Sequence, residues 1–181
     1  MRFYLIPVAL VSLAACNQSA EREPLRIDET EQATTQVWKE ASDLGEFETG
    51  PVWLSIKEMS VLDVEWHVSF IVDGLDSPED SYIYVDFDLT SEVTNEELAF
   101  DTNHFKVKIN GEETLEEIEL HVSNTVRMDL ITERLINRRM YFPLKTIPSN
   151  EIEQVDFIVE APLDENEERV DDGIIVEDVF H

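Results

Sequence analysis

The hydrophobic and polar positions divide the chain into three stretches. An apolar block runs from Phe3 to Val11. Residues 17 to 48 then show no sustained period; they are rich in Glu, Thr, Gln and Asp and contain few large apolar side chains besides Val37, Trp38, Leu44 and Phe47. From Gly50-Pro51 onward the pattern changes to strict alternation: Val52, Leu54, Ile56; Val64, Trp66, Val68, Phe70; Ile83, Val85, Phe87, Leu89; and Phe105, Val107, Ile109. A period of two places alternate side chains on opposite faces of a half-buried strand. The intervening positions are polar, among them Glu65, His67 and Ser69, Asp86 and Asp88, and Lys106 and Lys108. One face therefore meets a core and the other meets water, as in antiparallel sheets.

Turns are predicted where alternation stops. Asn110-Gly111 is the strongest hairpin signal, because both residues tolerate the positive φ of a type I′ turn; it should join strand 104–109 to a strand near 114–122. Asp73-Gly74 opens a loop through Asp80, and Pro148-Ser149-Asn150 separates Tyr141–Ile147 from a strand Ile152–Glu160. Ile174–Val179 supplies a last strand. Val126–Arg139 carries Met128, Ile131 and Leu135 at helical spacing and reads as a short crossover helix or a loop. Glu31–Ala41 reads as a short helix with Val37 or Trp38 docking on the domain. Seven or eight short strands with turns at near-regular spacing predict an all-β antiparallel sandwich over residues 49–181, preceded by a flexible acidic tether over 16–48.

The amino-terminal block has the order of an export signal: Arg2, the apolar run, then Ser12, Leu13, Ala14, Ala15 and Cys16. It is too short to span a bilayer, which takes about 20 apolar residues. Leu13-Ala14-Ala15-Cys16 resembles the lipobox of bacterial lipoproteins. That resemblance implies cleavage between Ala15 and Cys16, recognition through Leu13, Ala14 and Ala15, and a diacylglyceryl group on the Cys16 sulfur. Cys16 is the only cysteine in the chain, so no internal disulfide competes for it. The expected location is the extracytoplasmic face of a cell membrane, held by two or more acyl chains where one would be marginal.

Charge narrows the partners. The 181 residues hold 41 Asp and Glu against 13 Lys and Arg, a formal net charge of −28, and removal of residues 1–15 would take away only Arg2. Nucleic acid and anionic headgroups are disfavoured because phosphates would be repelled. Cations and basic partners are favoured, although excess carboxylate also serves solubility alone.

Gly50 to Phe180 resembles the immunoglobulin-like surface lipoproteins of Gram-positive bacteria, domains of unknown function. The segments that carry the likeness are Gly50-Pro51 leading into Leu54-Ser55-Ile56-Lys57, Tyr82-Ile83-Tyr84-Val85-Asp86-Phe87, the hairpin Phe105 to Gly111, and Val155–Val159 running into Ala161-Pro162. The likeness implies a sandwich and a cell-surface address, and it brings no functional residues.

Candidate chemistry is sparse. There is no G-x-S-x-G elbow and no S-x-x-K, and Cys16 is committed to lipid, so nucleophilic catalysis has no evident residues. Five glycines without a G-x-G-x-x-G or P-loop arrangement offer no phosphate cradle. His67, His104, His121 and His181 lack metal-ligand spacing. Acidic loops at Asp73, Asp76, Glu79 and Asp80 and at Asp164–Asp172 hold oxygen ligands suited to calcium, yet Arg169 stands where the EF-hand order wants glycine. The most unusual local feature is a basic island of Arg127, Arg134, Arg138, Arg139 and Lys145. It is a candidate docking surface for an envelope protein or wall polymer, with Tyr141 and Phe142 adding apolar contact, or else a set of charges that neutralise neighbouring carboxylates. The expectation is a non-catalytic binding module with no cofactor and no metal; the alternatives are a calcium-binding envelope domain and an extracytoplasmic enzyme.

Overall fold

A computed structural model describes residues 22–67, 80–93, 98–119, 122–124 and 134–181. Within them the chain is all-β: two antiparallel sheets form a sandwich, as the alternation predicts. The strands are β1 (Arg26–Glu29), β2 (Ala33–Thr49), β3 (Val52–Trp66), β4 (Ser81–Ser91), β5 (Phe105–Ile109), β6 (Glu113–Leu115), β7 (Ile136–Pro143), β8 (Val155–Val159) and β9 (Ile174–Val176). One sheet has the order β1-β2-β3-β4-β7 and the other β6-β5-β8-β9. The first is a meander of four consecutive strands closed by β7. In the immunoglobulin arrangement strands A, B, E and D share one sheet while C, F and G form the other; the connectivity here differs, and the resemblance extends to the two-sheet layout.

The core lies between the sheets. Val52, Leu54, Ile56, Met59, Val61, Ile83, Val85, Phe87 and Leu89 of the first meet Phe105, Val107, Ile109, Val155, Phe157 and Val159 of the second, all buried. Phe87 and Phe105 stack across the seam with ring centroids 5.2 Å apart, and Phe105 continues to Phe157 at 6.2 Å. Such aromatic pairs add about 1 kcal/mol beyond their area burial.

The flexible tether expected over residues 16–48 is corrected for its described part. Residues 26–29 and 33–49 are strands, and no helix forms over Glu31–Ala41. β2 is paired along its whole length with β3, from Ala33↔Trp66 to Thr49↔Val52, with register breaks between Val37 and Lys39 and between Ser42 and Gly45. A bulge inserts an extra residue and shifts which positions face the core. Two of them in one strand space Val37, Ala41, Leu44 and Phe47 irregularly, so the period that announces a strand is lost.

The same device reshapes β3. Its register with β4 shifts between Ile56 and Glu58. Even-numbered Val52, Leu54 and Ile56 face the core before the bulge, odd-numbered Met59 and Val61 after it. Val64 and Trp66 therefore project to the opposite side of the sheet, where Ala33, Val37, Leu62, Val64 and Tyr82 form a small second cluster against Trp66, Tyr84, Val122 and Tyr141.

Turns account for the remaining connections. Asn110 and Gly111 have φ of 50° and 74°, and Glu112 N–H donates to Ile109 C=O at 3.0 Å, so the predicted hairpin turn is present. Its second strand is shorter than expected, Glu113–Leu115 in place of 114–122. The Asn110 Oδ1 also accepts from Glu153 and Gln154 N–H at 2.9 and 3.1 Å, which fixes the hairpin to the start of β8. Between β2 and β3, Gly50 sits at φ 55° with Val170 packed where a side chain would go, 2.6 Å from an ideal Cβ position. Of the segment read as a crossover helix or loop, residues 126–133 lie outside the described residues and Ile136–Arg139 belong to β7, which runs to Pro143, so the strand expected over Tyr141–Ile147 starts earlier; the last strand ends at Val176.

Candidate functional site

The strand registers generate a surface on the face of the five-stranded sheet turned away from the core. Along it Glu48, Trp53 and Thr90 lie side by side, then Glu46, Ser55, Asp88 and Asn137, then Ser42, Glu58, Asp86 and Arg139, then Glu40, Ser60, Tyr84 and Tyr141. Carboxylates dominate. Glu58 stands directly opposite Asp86, an arrangement of like charges that destabilises a sheet unless donors offset it. Donors are supplied: Ser60 Oγ to Glu58 Oε1 at 2.8 Å, Tyr84 Oη to Asp86 Oδ2 at 3.2 Å, Asn137 Nδ2 to Asp86 Oδ1 at 2.5 Å, and Lys57 Nζ to Asp88 Oδ1 at 2.7 Å. Arg26 pairs with Asp28 at 2.7 Å and also with Glu40.

The two tyrosines are held in this field. Burial, with Asp86 and Tyr141 beside it, pushes the Tyr84 phenol far above its ordinary value. Burial raises Tyr141 as well, opposed by nearby Arg139. Their rings touch, with centroids 4.9 Å apart. Glu119, Ser123 and Asn124 line the β7 edge: Glu119 N–H donates to Tyr141 C=O at 2.7 Å and Asn124 N–H to Arg139 C=O at 3.1 Å, while Ser123 Oγ and Asn124 Oδ1 accept from the N–H groups of Tyr141 and Arg139. That edge is satisfied without another strand.

At the other end of the face the surface sinks into an open groove of about 700 Å³ lined by Glu48, Gly50, Pro51, Val52, Trp53, Thr90, Ser91 and Glu92. It presents an indole and two carboxylates, and none of its lining residues is Lys or Arg. A cation over an indole, with carboxylates to accept its N–H groups, is the chemistry this combination suits. The outer face of the four-stranded sheet contrasts with it, because Lys106 bridges Glu116 and Glu160 at 2.9 and 3.3 Å and Lys108 stands opposite Asp156.

The basic island does not form one surface. Arg138 and Arg139 are neighbours in β7, so they face opposite sides of the sheet. Arg138 points inward and is 1% exposed, and burial lowers its guanidinium from the ordinary value. Arg139 is exposed on the acidic face, across from Asp86. Arg134 is exposed just before β7. Lys145 lies beyond its far end, six residues or about 20 Å of strand from Arg139, and pairs with Glu117 at 3.0 Å. Arg127 lies outside the described residues, as do Leu13, Ala14, Ala15 and Cys16. Arg138 is thereby removed as a docking contact, for the reason that alternation turns it to the core.

Asp164 and Asp171 of the 164–172 loop serve backbone N–H groups. Asp164 Oδ1 accepts from Asn166 and Glu168 N–H at 2.8 and 2.9 Å, bonds that lower its pKa. Asp171 accepts from Gly50 and Asp172 N–H at 2.8 and 2.7 Å and is lowered for the same reason. Both carboxylates stitch loops. Among the described residues no group of three or more His, Cys, Asp or Glu could hold a metal ion; of the other acidic loop only Asp80 is described. His67 lies 3.1 Å from Thr34 Oγ1, His104 belongs to a cap with Asp101, His181 is 3.7 Å from Asp178, and His121 falls outside the described residues.

One partly buried polar site escaped the sequence reading. Asp63, on the inner side of β3 after the bulge, accepts from Trp38 Nε1 at 2.6 Å, Ser81 Oγ at 2.7 Å and Ser149 Oγ at 2.5 Å. It ties β2, β3, β4 and the 149–151 turn together. The signal that could have found it is the phase change in β3, which turns an odd-numbered acid inward.

Fold and surface thus define an all-β sandwich with one acidic, aromatic-bearing sheet face. No family model, curated protein or solved structure matches the chain. Among the described residues no helix is long and apolar enough to cross a membrane.

Proposed function

We propose that the protein is a membrane-anchored cell-envelope lipoprotein, lipidated on Cys16, whose domain is a non-catalytic binding module for a positively charged partner. The observation that carries the binding assignment is the outer face of the five-stranded sheet: a field of Glu46, Glu48, Glu58, Asp86 and Asp88 that ends in the groove lined by Glu48, Trp53 and Glu92. A partner bearing lysine or arginine side chains matches that field in sign, gains encounter rate from it, and finds an indole for one cation. The anchor rests on the Leu13-Ala14-Ala15-Cys16 motif and the single cysteine.

The test is a titration of the full lipidated chain in nanodiscs with a short oligolysine peptide, followed by calorimetry at two salt concentrations. Binding is expected, weakened by salt, and reduced about tenfold in a Glu48→Gln, Glu92→Gln double variant, which would correspond to about 1.4 kcal/mol. Equal affinity in the variant would remove the groove from the binding face, and no binding at low salt would overturn the reading.

A further inference from the structure

The folded unit begins much closer to Cys16 than a tether of some 30 residues would place it. Arg22 is already seated, its guanidinium donating to Asn150 C=O at 3.2 Å and pairing with Glu153 at 3.1 Å. Leu25 N–H then donates to Val37 C=O at 2.7 Å, starting the ladder of β1. Only residues 17–21 separate Cys16 from Arg22. Six Cα steps reach at most about 22 Å when fully extended.

At this corner β1 is the edge strand of its sheet, with no further strand paired to it among the described residues. All four β1 residues are exposed. Leu25, one residue before β1, and Ile27 within it are 68% and 54% exposed, and alternation puts Ile27 on one side of the strand. Ile27 pairs with Gln36, itself opposite Asp63, so that side is the inner face of the sheet, carried beyond the cover of the four-stranded sheet. An edge strand with one large apolar side chain in it and another beside it invites a partner.

We infer that this edge rests on the lipid surface into which the acyl chains of Cys16 insert, with Leu25 and Ile27 entering the boundary between headgroups and acyl chains. The inference rests on the lipoprotein reading above. The length of chain selects the occupant: a leash of at most about 22 Å holds the edge at an effective concentration on the order of millimolar relative to the bilayer, so two apolar side chains whose own membrane affinity is weak suffice to dock it. The surface suited to this edge is zwitterionic, because Glu23, Asp28 and Glu29 are exposed beside it and Arg26 is already paired. Docking here leaves β7, at the opposite edge of the sheet, turned to the aqueous side.

The experiment uses the full lipidated chain in phosphatidylcholine vesicles with an environment-sensitive fluorophore on Ile27→Cys, the sole free thiol once Cys16 carries lipid. The reference is Leu135→Cys, 59% exposed and next to the β7 edge. Nitroxide lipids are expected to quench the probe at position 27 at least threefold more than at 135. Inserting 30 Gly and Ser residues after Asn17, or changing Leu25→Glu, is expected to remove that difference while the chain still floats with the vesicles. Equal quenching at both positions, or none at 27 on floated vesicles, would overturn the docking. A fluorescence shift at 27 without lipid quenching would overturn it in favour of a second copy of the chain. The mass of the Cys16 peptide separates the two failures: an unmodified Cys16 removes the leash and the lipoprotein reading together, whereas a diacylated Cys16 with an unquenched probe overturns only the docking.

Discussion

The two faces of the five-stranded sheet use the same strands to different ends. Inward, Ile56, Val85 and Phe87 lose nearly all contact with water and meet Phe105 and Phe157. Outward, one residue along each strand, Glu58, Tyr84, Asp86 and Asp88 are only half-buried and are held by hydroxyl, amide and ammonium donors. The inner face gains from area removed from water, a non-directional term that tolerates no charge without a partner. The outer face keeps Glu58, Asp86 and Asp88 because each of these carboxylates finds a donor. What separates the apolar face from the charged one here is the parity of a residue in its strand, and Arg138 and Arg139 show it within a single dipeptide.

The largest test of this contrast is on the inner face. Phe157→Ala should cost about 4 kcal/mol, through lost burial and the cavity left between the sheets, read as a drop in the midpoint of urea unfolding. A loss below 1 kcal/mol would mean that the seam is not the main source of stability. Next in size is the arginine pair. Arg138→Ala should cost about 3 kcal/mol, since it disrupts a buried charged group, while Arg139→Ala should stay within about 0.5 kcal/mol and instead raise the capture of oligolysine by removing a positive charge from the acidic face. Equal effects in the two variants would contradict the assignment of opposite faces.

The sequence reveals the sandwich where alternation is unbroken. β4 and β5 could be read directly because Ile83 to Leu89 and Phe105 to Ile109 keep one phase throughout. β2 was hidden because two bulges change its phase, and β3 was divided in two because the bulge at Lys57 moves its core positions from even to odd. The acidic face followed from the polar positions between apolar ones, and Asp86 and Asp88 were visible in that way. The groove was not, since Glu48, Trp53 and Glu92 come from three segments whose proximity depends on register. The basic island failed for a related reason: charges counted along the chain carry no face, and parity within Ile136–Pro143 would have turned Arg138 inward beside Met140 and Phe142.

The smallest effect probes the outer face by its protons. The Tyr84 phenol is raised by burial and by Asp86, so between about pH 10, where the unfolded tyrosine ionises, and its higher folded value the native chain keeps a proton that the unfolded chain has lost. Stability must then fall as pH rises through that window, because the folded state binds more protons than the unfolded one. Tyr84→Phe removes this contribution. At pH 8 the variant should be weaker by about 1 kcal/mol for the lost hydrogen bond to Asp86, and above pH 10 its stability should fall less steeply than that of the parent, so that the two unfolding curves converge. Parallel pH dependences would show that Asp86 and the surrounding strands do not hold the phenol protonated, and the outer face would then be an ordinary solvated surface in contrast to the inner one.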